Sequence, residues 1–393
     1  MKKINKNILL LLSMFLFSVP ELGSRTILEQ IEQNNTVLSA LRRQADVDKI
    51  GNKTGIYFEN PMIEYHYLWG NRSETGNRTD FAVGQNFDFP AAYYYRKRVS
   101  NAQNRQVDLK YRIERKNILL EARRLCIELT YQNALYQALT EKMRLAGQIA
   151  KAYEEKLNMG ETNRLDYNRA MLNFSSVQKE FNSCKTNREY LSDELTRLNG
   201  GIAIPYDVSS FEPVIINPDF DAFYSELKDK NLSLVYLQQE ISLSIENEKL
   251  RRSLNLPKFS AGYMSEKVLT EHFQGITVGI SVPLWENKNV IKQAKAQTQA
   301  NRMLAEDTRL RDYNEAAALH KKTMNLSQII ENYRKNVLPM DYIELLKKAL
   351  DVGEISIIDY ILEADLYLDT AKDMLETERE LNLTIAELMQ WEL

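Results

Sequence analysis

An aspartate recurs at a fixed position in two short motifs of this chain. Residues 159–167 read MGETNRLDY and residues 352–360 read VGEISIIDY, so Gly, Glu, Asp and Tyr occupy the same places in both. A carboxylate at such a position can cap the start of a helix. It can also attract cations when several copies surround an opening. Asp166 and Asp359 are therefore the first candidates for functional residues.

The spacing within each motif predicts a helix end followed by a helix start. Gly160 and Gly353 suit the left-handed conformation that closes a helix, and Asn163 and Ser356 suit the N-cap of the next one. Asp166 and Asp359 stand three positions after these caps, where the side chain of a capping box is found. Capping accounts for the spacing by itself, and a further role at an opening is compatible with it.

Other chemistry has little support in the sequence. No nucleophile elbow, phosphate-binding glycine loop or zinc signature is present, so we expect no enzyme, no cofactor and no metal site. The three histidines lack metal-ligand spacing. We expect His66 in a strand, His272 in a loop, and all three at scattered surface or lumen positions. The net charge is −3 and the pI is about 5.9, which gives no electrostatic basis for nucleic-acid binding.

The N-terminus has the layout of a secretory signal peptide. Three lysines precede an apolar run from Ile8 to Val19, and the small pair Gly23-Ser24 follows. A membrane anchor is the alternative, but a spanning helix needs about 20 apolar residues and this run is shorter. No cysteine lies near the expected cut, so the sequence has no lipobox. We predict a signal peptide over residues 1–24.

The rest of the chain reads as two tandem repeats. In each, a helix is followed by two strands, a very long helix, a turn at the glycine motif and another long helix. We predict a first repeat over 25–199, an inter-repeat linker over 200–218 and a second repeat over 219–393. The first long helix should run from 91 to 158, about 100 Å at 1.5 Å per residue. We expect helix irregularities at the matching positions Gly147 and Pro339.

The predicted hairpins, at about 60–90 and 257–285, have one apolar face and one face of small or polar side chains. The apolar residues are Phe81, Val83, Phe87, Ile276, Val278, Ile280 and Val282. Half-buried strands of a soluble sandwich show the same alternation. We favour a membrane-facing sheet because each strand has the length of a tilted membrane strand and aromatic residues flank the hairpins. Four strands cannot close a barrel, so several chains would have to share one. The polar segments 71–79 and 265–274 are the predicted hairpin tips.

This pattern resembles the TolC-like outer-membrane efflux proteins over nearly the whole mature chain. The resemblance is carried by the duplicated order of elements, by NP or LP at the start of the first strand of each hairpin, by VGISVPLWENKNVIKQAKAQ at the end of the second hairpin, by NVLP, and by the two glycine turns. It implies a membrane β-barrel of twelve strands from a homotrimer, continuous with a long α-helical barrel. It also implies a passive, gated exit duct of a tripartite efflux or type I secretion system, with a periplasmic adaptor and an inner-membrane transporter as partners.

The resemblance also assigns the two turns to the periplasmic end of the duct. Asp359, and with less support Asp166, would surround the narrowed mouth. The turn residues Gly160, Glu161, Asn163, Gly353, Glu354 and Ser356 would contact the adaptor. The family pattern has a basic residue where this chain has Ile355 and a second acid where it has Leu362. These departures leave open how the mouth is held closed.

A soluble periplasmic coiled-coil adaptor or scaffold is the alternative function. It would account for the long helices and the signal peptide, but it leaves nothing to bury the apolar faces of the strands. The transported substrate cannot be read from the sequence, because a conduit leaves substrate choice to its pump.

Overall fold

A computed structural model describes residues 22–71, 74–336 and 342–393. The predicted signal peptide falls almost wholly outside these residues, as does Pro339. The helices are α1 (Leu22–Asn34), α2 (Thr36–Gly51), α3 (Pro90–Met159), α4 (Arg164–Leu198), α5 (Phe220–Leu227), α6 (Leu232–Ser253), α7 (Val290–Asn336), α8 (Tyr342–Val352) and α9 (Ile357–Leu388). The strands are β1 (Met62–Leu68), β2 (Arg78–Phe87), β3 (Lys258–Val268) and β4 (Glu271–Ser281).

The described residues form two compact units, each built from several segments of the chain. The helical unit takes its residues from 22–39, 115–228, 314–336 and 342–393, and the sheet unit takes them from 40–71, 74–114 and 229–313. α3 and α7 contribute residues to both units. These two units do not coincide with the predicted repeats, because each unit combines segments of both repeats.

The helical unit has a core at one level of its long helices. Ile31 of α1, Leu129 of α3 and Leu195 of α4 are almost completely buried there, together with the Cys126 thiol. The segment after α4 packs on the same core through Ile204. These side chains recur at helical spacing, so burying one stripe of each helix is what holds the helices together.

Helix α3 is continuous over 70 residues and passes through Gly147 without a break. The irregularity we predicted at Gly147 is therefore wrong. A side chain at this position would begin 3.3 Å from the ring of Phe174 on α4. Gly147 thus makes room for a neighbouring aromatic ring, and the helix keeps its regular backbone.

The sheet unit contains one antiparallel sheet in the order β1-β2-β3-β4. The tip predicted over 265–274 is too long, because β3 and β4 stay paired as far as Val268 and Glu271. Only Leu269 and Thr270 connect them, and Leu269 takes a left-handed φ of 52° to make the tight turn. The predicted tip over 71–79 is also shortened, since Arg78 and Thr79 belong to β2.

Two buried asparagines begin corresponding helices in the two halves of the chain. The Asn35 side chain accepts a hydrogen bond from the Leu38 backbone N–H at 2.8 Å. Asn231 caps α6 and accepts from the Ser233 backbone N–H at 2.9 Å. Both are at most 3% exposed. An asparagine at these positions satisfies helix N–H groups that would otherwise be buried without partners.

Candidate functional site

The two glycine turns have the same backbone geometry. Gly160 and Gly353 have φ values of 75° and 82°, which only glycine adopts without strain. In each turn the following residue donates its backbone N–H five residues back, from Glu161 to Lys156 and from Glu354 to Ala349, both at 2.9 Å. This is the Schellman closure of a helix, so the first part of each motif is explained by helix termination.

Ser356 and Asp359 form a complete capping box at the start of α9. The Ser356 hydroxyl oxygen accepts from the Asp359 backbone N–H at 3.2 Å, and the Asp359 carboxylate accepts from the Ser356 backbone N–H at 3.2 Å. The Ser356 hydroxyl also donates to that carboxylate at 2.6 Å. These hydrogen bonds hold the pKa of the Asp359 carboxyl below its usual value. The bond from the Ser356 hydroxyl has the largest effect, and the bond from the Ser356 backbone N–H comes next. Asp359 is thus an exposed, ionised carboxylate at neutral pH.

Asn163 and Asp166 make only half of the predicted box. Asn163 accepts from the Asp166 backbone N–H at 2.9 Å, as an N-cap does. The Asp166 carboxylate, however, accepts from the side-chain amide of Asn163 at 2.8 Å and pairs with Arg169 at 3.0 Å. The amide and the guanidinium are better donors for it than the N-cap backbone. Asp166 is therefore charge-paired, whereas no basic side chain in the described part of the chain pairs with Asp359.

A buried cluster packs the two turns beside each other in the helical unit. Ile149 of α3 and Ala170 of α4 meet Leu350 of α8 and Ile357 and Tyr360 of α9. Burial raises the pKa of Tyr360 to about 12, with the charges of Asp351, Asp365 and Glu141 adding to the effect. The phenol is thus neutral at physiological pH. The cluster fixes both aspartates at the same end of the unit.

The two positions that depart from the family pattern carry apolar side chains, Ile355 and Leu362. An ion pair that the pattern does not include lies nearby. Ile355 packs on the cluster, and Leu362 is 63% exposed. Lys142 of α3, only 12% exposed, pairs with Asp365 of α9 at 3.0 Å and with Glu180 of α4 at 3.7 Å. We did not predict this ion pair from the sequence. Its signal was a lysine on the stripe of Leu139, Leu145 and Ile149, all of which are buried.

The sheet register gathers apolar side chains on one face. One row joins Ile63, Val83, Tyr263 and Ile276, and another joins Phe87, Phe259 and Ile280. Phe81 and Val278 lie on the same face by the two-residue alternation of a strand. Ile276 and Val278 are 83% and 79% exposed, so this face has no cover within the described residues. Val282, which we predicted to be part of the strand, follows directly after the end of β4.

The opposite face of the sheet carries small and charged side chains. Gly84 pairs with Gly262, which pairs with Thr277. A side chain on Gly262 would begin 2.6 Å from the Val83 carbonyl oxygen and 2.7 Å from the Thr277 hydroxyl, so glycine is required there. Near the β3–β4 turn, Arg78 pairs with Asp80 at 2.8 Å and with Glu266 at 3.1 Å. Met62, Met264 and Phe273 also lie on this face by register, so the two faces differ in polarity mainly around Gly84, Gly262 and Thr277.

Two histidines differ from their predicted surroundings. His272 lies in β4, where its ring Nε2 is 2.7 Å from the Ser265 hydroxyl, because the strand extends further than the polar sequence suggested. His320 of α7 is only 5% exposed, and its Nε2 lies 2.7 Å from the Asn217 carbonyl oxygen. The rings of Phe220 and Phe223 cover it. His66 lies in β1 as predicted.

Strands β1 and β4 form the two edges of the sheet. Each pairs with one neighbour among the described strands, so its other row of backbone N–H and C=O groups is unpaired there. Within the described residues, no helix combines the length and apolar character that a membrane crossing requires.

Comparison with known proteins finds similarity in structure. No family model matches the sequence, and no curated protein matches it significantly. The CmeC outer membrane channel of Campylobacter jejuni superposes with a TM-score of 0.72 at 15% identity, over 94% of this chain and 85% of CmeC. The outer membrane protein VceC of Vibrio cholerae superposes with a TM-score of 0.74 at 12% identity, over 94% of this chain and 95% of VceC. The open state of the Neisseria gonorrhoeae MtrE outer membrane channel superposes with a TM-score of 0.65 at 14% identity, over 94% of this chain and 88% of MtrE. The chain thus has the fold of the TolC-like outer-membrane channels.

Proposed function

We propose that this protein is the trimeric outer-membrane exit duct of a tripartite efflux or type I secretion system. Three sheet units would close a twelve-stranded barrel, and the helical units of the three chains would form the periplasmic tunnel. The duct is passive and needs no catalytic group. An inner-membrane transporter supplies the energy, and a periplasmic adaptor engages the turns at Gly160 and Gly353. The channel character of the structural neighbours supports this assignment.

The observation that carries the proposal is a sheet with two unpaired edges and one uncovered apolar face. Unpaired backbone groups are not tolerated in lipid, so such a sheet is stable in a membrane only when neighbouring chains complete it. Strands β3 and β4 have 11 residues each. At about 3.3 Å per residue and a tilt of about 45°, each spans about 25 Å, the height of the apolar band of outer-membrane barrels.

Exposed aromatic side chains at both ends of the sheet support the same orientation. Trp69, at the end of β1, is 81% exposed. At the other end Tyr57 and Trp285 are 81% and 77% exposed. Tryptophan and tyrosine are enriched where membrane meets water, because their rings are apolar and carry one polar group. Two such levels fit two membrane interfaces.

We further propose that Asp359 surrounds the periplasmic mouth. It is exposed, ionised and unpaired by any described cation, whereas Asp166 is neutralised by Arg169. Three copies would form a carboxylate ring, which favours cations in a pore. In place of the family's second acid, Leu362 would follow this ring. The Lys142–Asp365 pair would help to hold α9 against α3 near the mouth.

Fractionation of cells that express the full chain separates the duct from the alternative. A duct enters the outer membrane fraction, is extracted only by detergent, and has a detergent-corrected mass of three chains of 45.7 kDa less the signal peptide. A soluble coiled-coil adaptor would appear in the periplasmic extract without detergent. Recovery of a soluble monomer from that extract would refute the proposal.

A further inference from the structure

One end of the sheet is surrounded by basic side chains. We call this region the basic collar and define it as the thirteen residues next to each strand at the end where the helices attach: 49–61, 88–100, 245–257 and 282–294. The antiparallel register brings the four stretches to the same edge. Their basic residues are Lys49, Lys53, Arg96, Lys97, Arg98, Lys249, Arg251, Arg252, Lys288 and Lys292, and their acids are Glu59, Asp88, Glu246, Glu248 and Glu286.

This two-to-one excess of positive charge is local. The whole chain has 51 basic and 54 acidic residues. At the opposite end of the sheet, residues 64–71, 74–80 and 265–274 contain two basic side chains, Arg78 and Lys267, against five acids, Glu64, Glu74, Asp80, Glu266 and Glu271. The sheet is therefore electrostatically asymmetric from end to end.

Half of the collar's basic side chains form ion pairs within the chain and half do not. Arg96 pairs with Asp88, Arg98 and Lys249 pair with Glu246, and Arg252 pairs with Glu248. Lys49 pairs with Asp108, outside the collar. The other five are exposed and form no ion pair with any residue that the structure describes: Lys53, Lys97, Arg251, Lys288 and Lys292. These five carry charge that is available to a partner.

Two long helices begin in the collar and add to its positive potential. α3 starts at Pro90 and α7 at Val290, and neither has an acidic side chain in its first turn. The N-terminus of a helix carries a partial positive charge and free backbone N–H groups. The exposed rings of Tyr57, Tyr94 and Trp285 lie in the same stretches. Cations and interfacial aromatics thus occur in the same four stretches, which adjoin the strands that carry the uncovered apolar face.

We propose that the basic collar binds the phosphate groups of anionic phospholipids in the leaflet at the helical end of the sheet. The proposal rests on the proposed function, since it places the apolar face of the sheet in the membrane. Lipid is the occupant that fits, because the free cations are continuous with an acyl-chain surface and are spread over four stretches. Lysine and arginine at that level attract anionic headgroups over about a Debye length.

Quenching of a single tryptophan by brominated lipid tests the proposal on the full chain. Trp285 stands three residues before Lys288 and reports on the collar, whereas Trp69 reports on the opposite end. Protein with Trp69→Phe and Trp391→Phe is reconstituted into vesicles of phosphatidylcholine. Brominated phosphatidylglycerol or brominated phosphatidylcholine then replaces part of the lipid. We expect Trp285 quenching to show a preference of roughly fivefold for phosphatidylglycerol over phosphatidylcholine. This is the effect of about one basic side chain at an anionic surface.

The controls isolate the charges. In the same single-tryptophan protein, Lys288→Gln with Lys292→Gln should bring the phosphatidylglycerol-to-phosphatidylcholine preference ratio close to one. The charge-matched pair Lys151→Gln with Lys179→Gln, on exposed positions of α3 and α4 in the helical unit, should leave it unchanged. Raising the salt from about 0.05 M to about 0.5 M should also weaken it, because the Debye length shortens. Protein that keeps Trp69 alone should show a much smaller preference.

The outcomes separate this inference from the proposed function. Equal quenching of Trp285 by both lipids would refute lipid binding by the collar while leaving the protein in the bilayer. A preference that survives the Lys288 and Lys292 substitutions would also refute it. Absence of quenching of both Trp285 and Trp69 by either lipid would mean that the sheet is outside the membrane, and would refute the proposed function itself.

Discussion

At the scale of the residue, the two aspartates of the repeated motif have become chemically different. Asp359 completes a capping box and keeps an unpaired negative charge, while Asp166 has its charge compensated by Arg169. The difference arises from their caps and neighbours, because serine in one turn and asparagine in the other offer different donors. We therefore assign the proposed role in ion attraction at the mouth to Asp359.

Asp359→Asn should reduce the cation preference of the channel in planar bilayers. Asparagine can still cap α9, but three negative charges leave the mouth. We expect a shift of the reversal potential toward zero in a KCl gradient, with the trimer yield unchanged. Ser356→Ala weakens the cap and keeps the charge. Asp166→Asn with Arg169→Gln removes both charges of one ion pair and leaves the net charge unchanged, so both controls should retain the original selectivity. An unaltered reversal potential in Asp359→Asn would remove the gate role.

The Cys184 thiol should be unreactive in the folded protein at pH 8. Burial raises the pKa of Cys184 to about 11, and its Sγ donates to the Gln132 side-chain oxygen at 3.3 Å. An unfolded thiol has a pKa of about 8.5. The thiol's contribution to stability is thus complete below about pH 8.5 and is lost as the pH rises toward 11.

Thiol titration with a chromogenic disulfide measures this protection. We expect slow modification of Cys126 and Cys184 in the native protein and rapid modification of both in guanidinium chloride. The loss of stability between pH 8.5 and 11 should be smaller in a Cys184→Ala variant than in the original chain. Fast labelling of native protein at pH 8 would contradict the buried environment.

At the scale of the element, each glycine turn is a helix end and a helix start joined by a few residues. Gly353→Ala should destabilise the α8–α9 turn by about 1 kcal/mol, because the φ of 82° strains any residue with a Cβ. The added methyl group meets no atom within 4 Å, so the cost is conformational. Hydrogen exchange of the α9 first turn should accelerate accordingly.

Gly51→Ala is the matched control for that substitution. Gly51 also has open space around it, and its backbone is not left-handed. Alanine there should leave stability unchanged or raise it slightly, since alanine favours the helix over glycine. Equal effects of the two substitutions on their local exchange rates would show that backbone strain is not what requires glycine at 353.

The two faces of β4 should respond in opposite ways to a charge. Val278→Lys places an ammonium on the apolar face, where the cost at the middle of a membrane is about 2–4 kcal/mol per chain. We expect little trimer in the outer membrane fraction. Thr277→Lys, one residue away on the small and polar face, should insert normally. Equal insertion of both variants would contradict a lipid contact of the Val278 face.

At the scale of the whole molecule, the proposed barrel requires each chain to pair with its neighbours along β1 and β4. Cysteines at Tyr65 of β1 and Ile276 of β4, in a chain with Cys126→Ala and Cys184→Ala, should become cross-linked between chains by a bismaleimide. The expected products are covalent dimers and trimers, with no larger species because the ring closes. Because the register between chains is not fixed by one subunit, Gln274 and Val278 serve as alternative β4 positions.

Each cysteine alone is the control for this experiment. Tyr65→Cys or Ile276→Cys by itself should give no covalent trimer, since a closed ring needs both edges of every chain. Cross-linking within one chain, or a ladder extending beyond three chains, would contradict the proposed ring of three sheets.

The sequence alone determined the elements and the periodic pattern of this protein. Glycines with caps three residues later specified two helix turns, and two-residue alternation specified strands with one apolar face, because backbone conformation and side-chain direction follow from local spacing. The four strands and the long helices were predicted on that basis. The predicted tip at 265–274 was wrong because polar residues on both faces of a strand give no periodic signal.

The tertiary structure decided which charges are compensated and which faces are uncovered. Lys142 reaches Asp365 and Glu180 from helices far away in the chain, and Gly147 fits under Phe174 without bending α3. Only the packing of distant segments decides such contacts, and no spacing along one helix encodes them. The basic collar likewise exists because antiparallel pairing brings four separate stretches to one edge of the sheet.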